Sequence, residues 1–170
     1  MKSLIAPEVV VEVGDDDVCE NIVSNYGFEG GNANGWTGLW GKYNYAVEQP
    51  GHASDYAIRF TMTNESNANY DCQLFWPTGM LETGVTYAYS FWVKSDQNIA
   101  VQFIGQNSSY GGIYKDTFTA PSEWIRCTGE FTYAESDTKD IERVGIQFGG
   151  TPGSTVWVDD FKFGKKIEEK

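Results

Sequence analysis

The run Thr86 to Lys94, TYAYSFWVK, limits what this chain can fold into more than any other stretch. Its side chains alternate, with Tyr87, Tyr89, Phe91 and Val93 on one face and Thr86, Ala88, Ser90, Trp92 and Lys94 on the other. A period of two in a segment rich in aromatic and β-branched residues fits a pleated strand with one side against a core. Similar segments recur at Asn21 to Val23, Tyr43 to Gln49, Tyr56 to Thr63, Tyr70 to Trp76, Asn98 to Gly105, Ile113 to Thr119, Ile125 to Tyr133, Val144 to Phe148 and Thr155 to Phe163. Between them lie turn-formers such as Pro50-Gly51, Asn64 to Asn69, Gln106 to Gly112 and Gly149 to Gly153. About ten short strands at this spacing predict an all-β chain, a β-sandwich of two stacked antiparallel sheets. No helical stripe of useful length and no internal repeat is present.

A chain of 170 residues suits one domain with a substantial core. Residues 20–164 are expected to form the sandwich, with 1–19 a linker or the tail of a preceding segment and 165–170 a charged tail. Lys and Arg total 12 against 24 Asp and Glu, a formal charge of −12. That field repels phosphate and argues against nucleic acid or an anionic membrane as partner, leaving a neutral ligand as the better match. Pro7, Glu8 and Glu12 interrupt the apolar residues of the first segment, so it lacks the run of a signal peptide, and nothing is long enough to cross a bilayer. Cys19, Cys72 and Cys127 have no metal-ligand spacing and read as small core residues.

Two strands carry polar residues that a pure core does not need. On Val144 to Phe148, Val144, Ile146 and Phe148 point one way; Arg143 and Gln147 point the other and flank Gly145, leaving a gap for a planar ligand. On Tyr70 to Trp76, Cys72, Leu74 and Trp76 alternate inward, and Asp71, Gln73 and Phe75 outward. Tyr110 lies in a Ser/Gly loop with no apolar period to bury it, and Trp40 sits between Leu39 and Gly41. Trp36, Trp92, Trp124 and Trp157 are read as core or sheet-covering. Exposed rings with amide and guanidinium groups suit a sugar, whose apolar CH face stacks on an aromatic plane while its hydroxyls pair with Gln, Arg and Asn.

His52 is the single histidine, in a Pro50-Gly51-His52 turn, so a nucleophile–histidine pair has no supporting cue and a histidine-rich metal site is excluded. A pair of carboxylates for glycoside hydrolysis is not excluded by composition. Glu135 to Asp140 is superficially similar to the E-x-D-x-x-E run of some β-sandwich glucanases, but it ends in Asp and lies in a polar turn.

The order of motifs is informative: Asn21-Ile22-Val23 with Gly27-Phe28-Glu29, Gly35-Trp36-Thr37, Thr83 to Lys94, Glu123-Trp124, and Val156-Trp157-Val158-Asp159-Asp160. Over about Glu20 to Phe163 it resembles the carbohydrate-binding modules of families 4, 9 and 22, and most of all the xylan-binding modules of family 4. The resemblance implies a β-sandwich jelly roll with a sugar-binding cleft on one sheet, no catalysis, and attachment to a glycoside hydrolase such as a xylanase acting outside the cell, at its surface or in the periplasm. It implies that Tyr70 and Tyr110 stack on sugars, that Gln73, Arg143 and Gln147 bind hydroxyls, and that Lys115 corresponds to a further basic group. It also implies a structural calcium held by Glu29, the backbone of Gly27, Asp159 and backbone oxygens near Ser54 to Tyr56, an oxygen-only set of the kind a hard cation prefers. Two other readings stay open at this point, a small β-sandwich glycosidase acting on xylan or β-glucan and a structural sandwich whose aromatics are all buried; among ligands, β-glucan or cellulose stands beside xylan.

Overall fold

The alternating run becomes a central strand. The computed structural model describes residues 17–107, 112–134 and 141–167. Among them ten strands follow one another: β1 (Cys19–Asn21), β2 (Tyr43–Glu48), β3 (Ala57–Met62), β4 (Gln73–Pro77), β5 (Thr86–Ser95), β6 (Ile99–Gln106), β7 (Gly112–Ala120), β8 (Ile125–Thr132), β9 (Arg143–Gln147) and β10 (Thr155–Lys166). The larger sheet has the order β2-β3-β10-β5-β8, with β1 also paired to β10; the smaller is β4-β9-β6-β7. Every pairing is antiparallel. From β3 to β10 the chain repeatedly crosses between sheets, returning within one sheet only at the β6–β7 hairpin. The result is the expected β-sandwich jelly roll.

Strand β5 keeps its expected start and is flanked by β10 and β8. Tyr87, Tyr89, Phe91 and Val93 are all buried. They form the large sheet's side of an aromatic seam: Tyr89 stacks on Phe103 of the small sheet at 3.6 Å, Phe91 lies 5.4 Å from Phe161, and Tyr87 5.5 Å from Phe163. Offset and edge-on ring pairs add to the burial of their apolar area. The Tyr89 hydroxyl is not orphaned in this seam, since it donates to Asp116 at 2.7 Å.

Strand β10 is not one uninterrupted pleat. Asp159 faces Trp92 and Lys162 faces Ser90, so three steps on β10 match two on β5. Asp160 adopts a left-handed φ of 50° at this bulge. The extra residue resets the alternation, and Val156, Val158, Phe161 and Phe163 all reach the core at 0% exposure.

Element ends differ from the sequence reading where a side chain intervenes. Strand β1 occupies Cys19–Asn21, because Asn21 Oδ1 accepts from the amides of Val23 and Phe163 and its amide donates to Val23, which closes the strand at Asn21. Its partner is the end of β10, Gly164 to Lys166, so Lys165 and Lys166 belong to the sheet rather than to a tail. Strand β4 starts at Gln73, since Asn69–Asp71 form a 3-10 turn in which the Asp71 carboxylate accepts from the amides of Asn67 and Ala68 at 2.9 and 3.0 Å. The three thiols are free and buried, and burial pushes those of Cys19 and Cys127 up to about 12.

Of the tryptophans, Trp36 is in the core, whereas Trp92, Trp124 and Trp157 cover the outer side of the large sheet. There His52 stacks on Trp92 at 3.7 Å, and the Lys94 ammonium lies 5.2 Å and 4.9 Å from the Trp124 and Trp157 rings.

Phe161 touches Trp36, Phe91 and Phe103 and depends on the bulge for its inward position. Phe161→Ala should lower unfolding stability by about 3–5 kcal/mol, read from the urea midpoint followed by tryptophan fluorescence. A loss below about 1 kcal/mol, the size of an ordinary surface change, contradicts its place at the centre of the seam.

Candidate functional site

The outward face of the small sheet is ordered in rows by strand register. Gln73, Gln147, Gln102 and Thr117 lie side by side across β4, β9, β6 and β7. The next row is Phe75, Gly145, Ile104 and Lys115, and the one beyond it contains Pro77, Arg143 and Gln106. In the first row the Gln147 amide donates to Gln73 Oε1 at 3.2 Å, while Asn69 donates to both Gln102 Oε1 and Gln147 Oε1 at 3.3 and 3.4 Å. Gln73 and Gln147 are buried, Gln102 is half-buried and Asn69 exposed; amides joined in this way hold fixed orientations, and each still has donor or acceptor capacity for a ligand.

Two exposed rings stand over this floor. Trp40 is 62% and Tyr70 61% exposed, unusual for such large side chains in a folded domain. Together with Asn69, Gln73, Gln102, Ile104, Gln106, Lys115 and Gln147 they line a cleft of about 620 Å³. The segments bearing the rings are tied together: the amide of Lys42 donates to the carbonyl of Asp71 at 2.8 Å. Thr37 exchanges backbone hydrogen bonds with Phe75, and the Tyr43 hydroxyl donates to the carbonyl of Gly38 at 3.2 Å, so the Trp40 loop is fastened to the edge of β4.

Five residues expected from the sequence to bind a ligand, Trp40, Tyr70, Gln73, Lys115 and Gln147, therefore share one cleft. Arg143 is placed differently. Its guanidinium lies 5.4 Å from the Phe75 ring and its Nε donates to Gln106 Oε1 at 2.7 Å, so it braces a lining residue at the cleft's end. The gap expected over Gly145 is filled from within the protein: a Cβ there would come 2.7 Å from Phe75 Cδ1. Phe75, outward by parity, is only 2% exposed, being covered by the Thr37–Gly38 segment. Tyr110 and the run Glu135 to Asp140 lie outside the described residues. Asn69, Gln102, Ile104 and Gln106 were not anticipated; parity on β6, where Val101 and Phe103 face the core, was the signal for Gln102 and Ile104.

The residues expected to hold calcium lie where β10 meets the loops around 27–29 and 51–56. Glu29 accepts from the amides of Asp55 and Tyr56, each at 3.1 Å. Asp159 is fully buried and accepts from the His52 amide at 2.7 Å, Ser54 Oγ at 2.8 Å and the Asp160 amide at 2.8 Å. Burial, and then the neighbouring Asp160, push its carboxyl up to about 7; burial likewise raises Asp160. A Cβ on Gly27 would lie 3.5 Å from Asp160 Oδ1 and 3.7 Å from Glu29 Oε2, so the Asp160 carboxylate, which the sequence reading left out, faces Glu29 across that glycine. No group of three or more His, Cys, Asp or Glu side chains is poised to hold a metal among the described residues. The side-chain donors here are oxygens, the kind a hard cation takes, and the His52 ring lies 3.7 Å from Asp160 Oδ2.

A family model described as a carbohydrate binding domain matches residues 20–155. An endo-1,4-beta-xylanase A from Thermoanaerobacterium saccharolyticum is 26% identical over 161 residues, covering 91% of this chain and 14% of that protein. Among solved structures, one described as "CBM4 structure and function" superposes with a TM-score of 0.64 at 19% identity, covering 82% of this chain and 99% of that one. The CBM22-2 xylan-binding domain of Paenibacillus barcinonensis gives a TM-score of 0.58 at 17% identity, covering 83% and 98%. At these identities the superpositions show the shared fold.

Asp71 is the one side chain that both closes the Tyr70 turn and precedes the floor strand. Asp71→Ala removes two charge-assisted bonds and should cost about 1–2 kcal/mol of stability, measured by chemical denaturation, with a more mobile Tyr70 ring in nuclear relaxation. An unchanged midpoint and ring mobility would show that the turn is held by its backbone alone.

Proposed function

From the premise that this chain belongs to the carbohydrate-binding domain family, as its match over residues 20–155 shows, we propose that it binds a β-linked xylan chain in the cleft of its small sheet. A module of this family binds its polysaccharide without cleaving it. The observation carrying the reading is the pair of exposed rings, Trp40 and Tyr70, set over a floor of joined amides in one cleft. Pyranose faces stack on the rings, and ring hydroxyls exchange hydrogen bonds with Gln73, Gln102, Gln106, Gln147 and Asn69. Xylan, as the particular glycan, is favoured by the similarity to a xylanase and to a xylan-binding domain.

The parent protein would be a glycoside hydrolase working outside the cell, at its surface or in the periplasm, as the xylanase relative suggests; this chain spans 14% of that relative. The module's contribution is effective concentration: it keeps the catalytic domain near its polymer without altering the barrier of the reaction. Binding in the micromolar to millimolar range, about −8 to −4 kcal/mol, suffices for that and permits release. A structural calcium, held by carboxylates from Glu29 and Asp159 or Asp160 with backbone oxygens near Gly27 and Tyr56, would neutralise the buried acids and tie the last strand to the early loops.

Tyr70→Ala and Trp40→Ala are expected each to abolish retardation on soluble xylan in affinity electrophoresis while keeping the parent's far-ultraviolet spectrum. Unchanged migration of both would sink the assignment of the cleft; retardation only on cellulose or mixed-linkage glucan would replace xylan as the ligand. For the metal, millimolar calcium should raise the melting temperature by several degrees and a chelator should reverse it, with Glu29→Gln blunting the response. A melting temperature indifferent to both additions removes calcium from the picture.

A further inference from the structure

The cleft differs in charge from the molecule that carries it. The chain has twice as many acidic as basic residues, 24 against 12, yet no carboxylate is among the residues lining the cleft in the described part of the chain. The one charged residue among the described lining residues is Lys115, on β7, exposed and in register with Ile104 and, through it, Gly145.

Lys115 is also set apart from the other described lysines. Lys42 pairs with Glu65, Lys162 with Asp17, Lys165 with Glu82 and Lys166 with Glu130, while Lys94 lies over two indole rings. Among the described residues Lys115 has neither a carboxylate nor a ring partner. Its neighbour Asp116 does not supply one, since that carboxylate accepts from the Tyr89 hydroxyl on the other face of the strand. Arg143, the nearest candidate for a second cleft cation, is committed to Gln106 and Phe75.

We infer that the cleft is built for a glycan bearing carboxylate substituents, a uronic-acid-decorated chain, with Lys115 the specificity-determining residue that meets the carboxylate. The inference rests on the cleft reading above. A neutral sugar chain takes from an ammonium only a hydroxyl hydrogen bond, which the amides of the floor also supply. An acidic branch on the same backbone adds a charge pair, and it can lie at Lys115 without meeting a negative group among the described lining residues. The charge of −12 repels a polyanion at long range. At 0.15 M salt that repulsion is screened beyond about 8 Å, whereas a contact pair inside the cleft is screened much less.

The test is calorimetric titration at pH 7 and 0.15 M salt with two xylooligosaccharides of equal backbone length, one neutral and one carrying a single glucuronosyl branch. The quantity read is the ratio of the two dissociation constants. The natural protein is expected to bind the acidic oligosaccharide about two- to fivefold more tightly, the range for a partly exposed ion pair. Lys115→Gln should bring the ratio to one, and Lys115→Glu should invert it. Equal binding of the two sugars by the natural protein overturns the inference and leaves the xylan reading standing. A ratio that Lys115→Gln does not move also overturns it, since Lys115 would then be no more than a hydroxyl donor. Failure to bind either sugar would dispose of both.

Discussion

One extra residue in β10 organises this molecule. Without it, strict alternation from Val156 and Val158 would turn Phe161 and Phe163 outward, and the seam that joins the sheets would lose half of its large-sheet partners. With it, both halves of the strand face inward, and Asp159 and Asp160 are delivered to the loops around Gly27 and Ser54. The left-handed conformation of Asp160 is unfavourable for an ordinary side chain but tolerated better by Asp than by most residues. The core and the acidic corner thus depend on the same irregularity.

Much of the architecture was legible because aromatic alternation is a direct physical record of which face meets the core. Strand β5 illustrates it best, since each residue assigned to its inner face is buried. What could not be read from periodicity was everything decided by a side chain returning to the backbone. Asn21 ends β1 early, Asp71 turns the expected start of β4 into a 3-10 turn, and the bulge breaks β10 within a stretch that still looks continuous.

The candidate site was legible to the same degree and for related reasons. Parity put Gln73 and Gln147 on the outward face, but register between strands distant in sequence was needed to show that they lie in one row with Gln102. Outward did not mean exposed, as Phe75 shows by filling the space over Gly145. Trp40 was a candidate from the sequence, but its place beside Tyr70 depends on the Lys42–Asp71 hydrogen bond that ties the two segments, which periodicity does not show.

The pairing of β1 with the end of β10 has a mechanical side. Cys19 lies opposite Lys166, and the chain enters and leaves this part of the sheet at the same end of an antiparallel pair. Tension applied through residues 17 and 167 would therefore load that pair as a zipper, opening its hydrogen bonds one after another instead of shearing them together. The four strands under the cleft belong to the other sheet and lie off the line of that pull. Under such a pull the edge of the larger sheet would open before the sheet that floors the cleft was loaded.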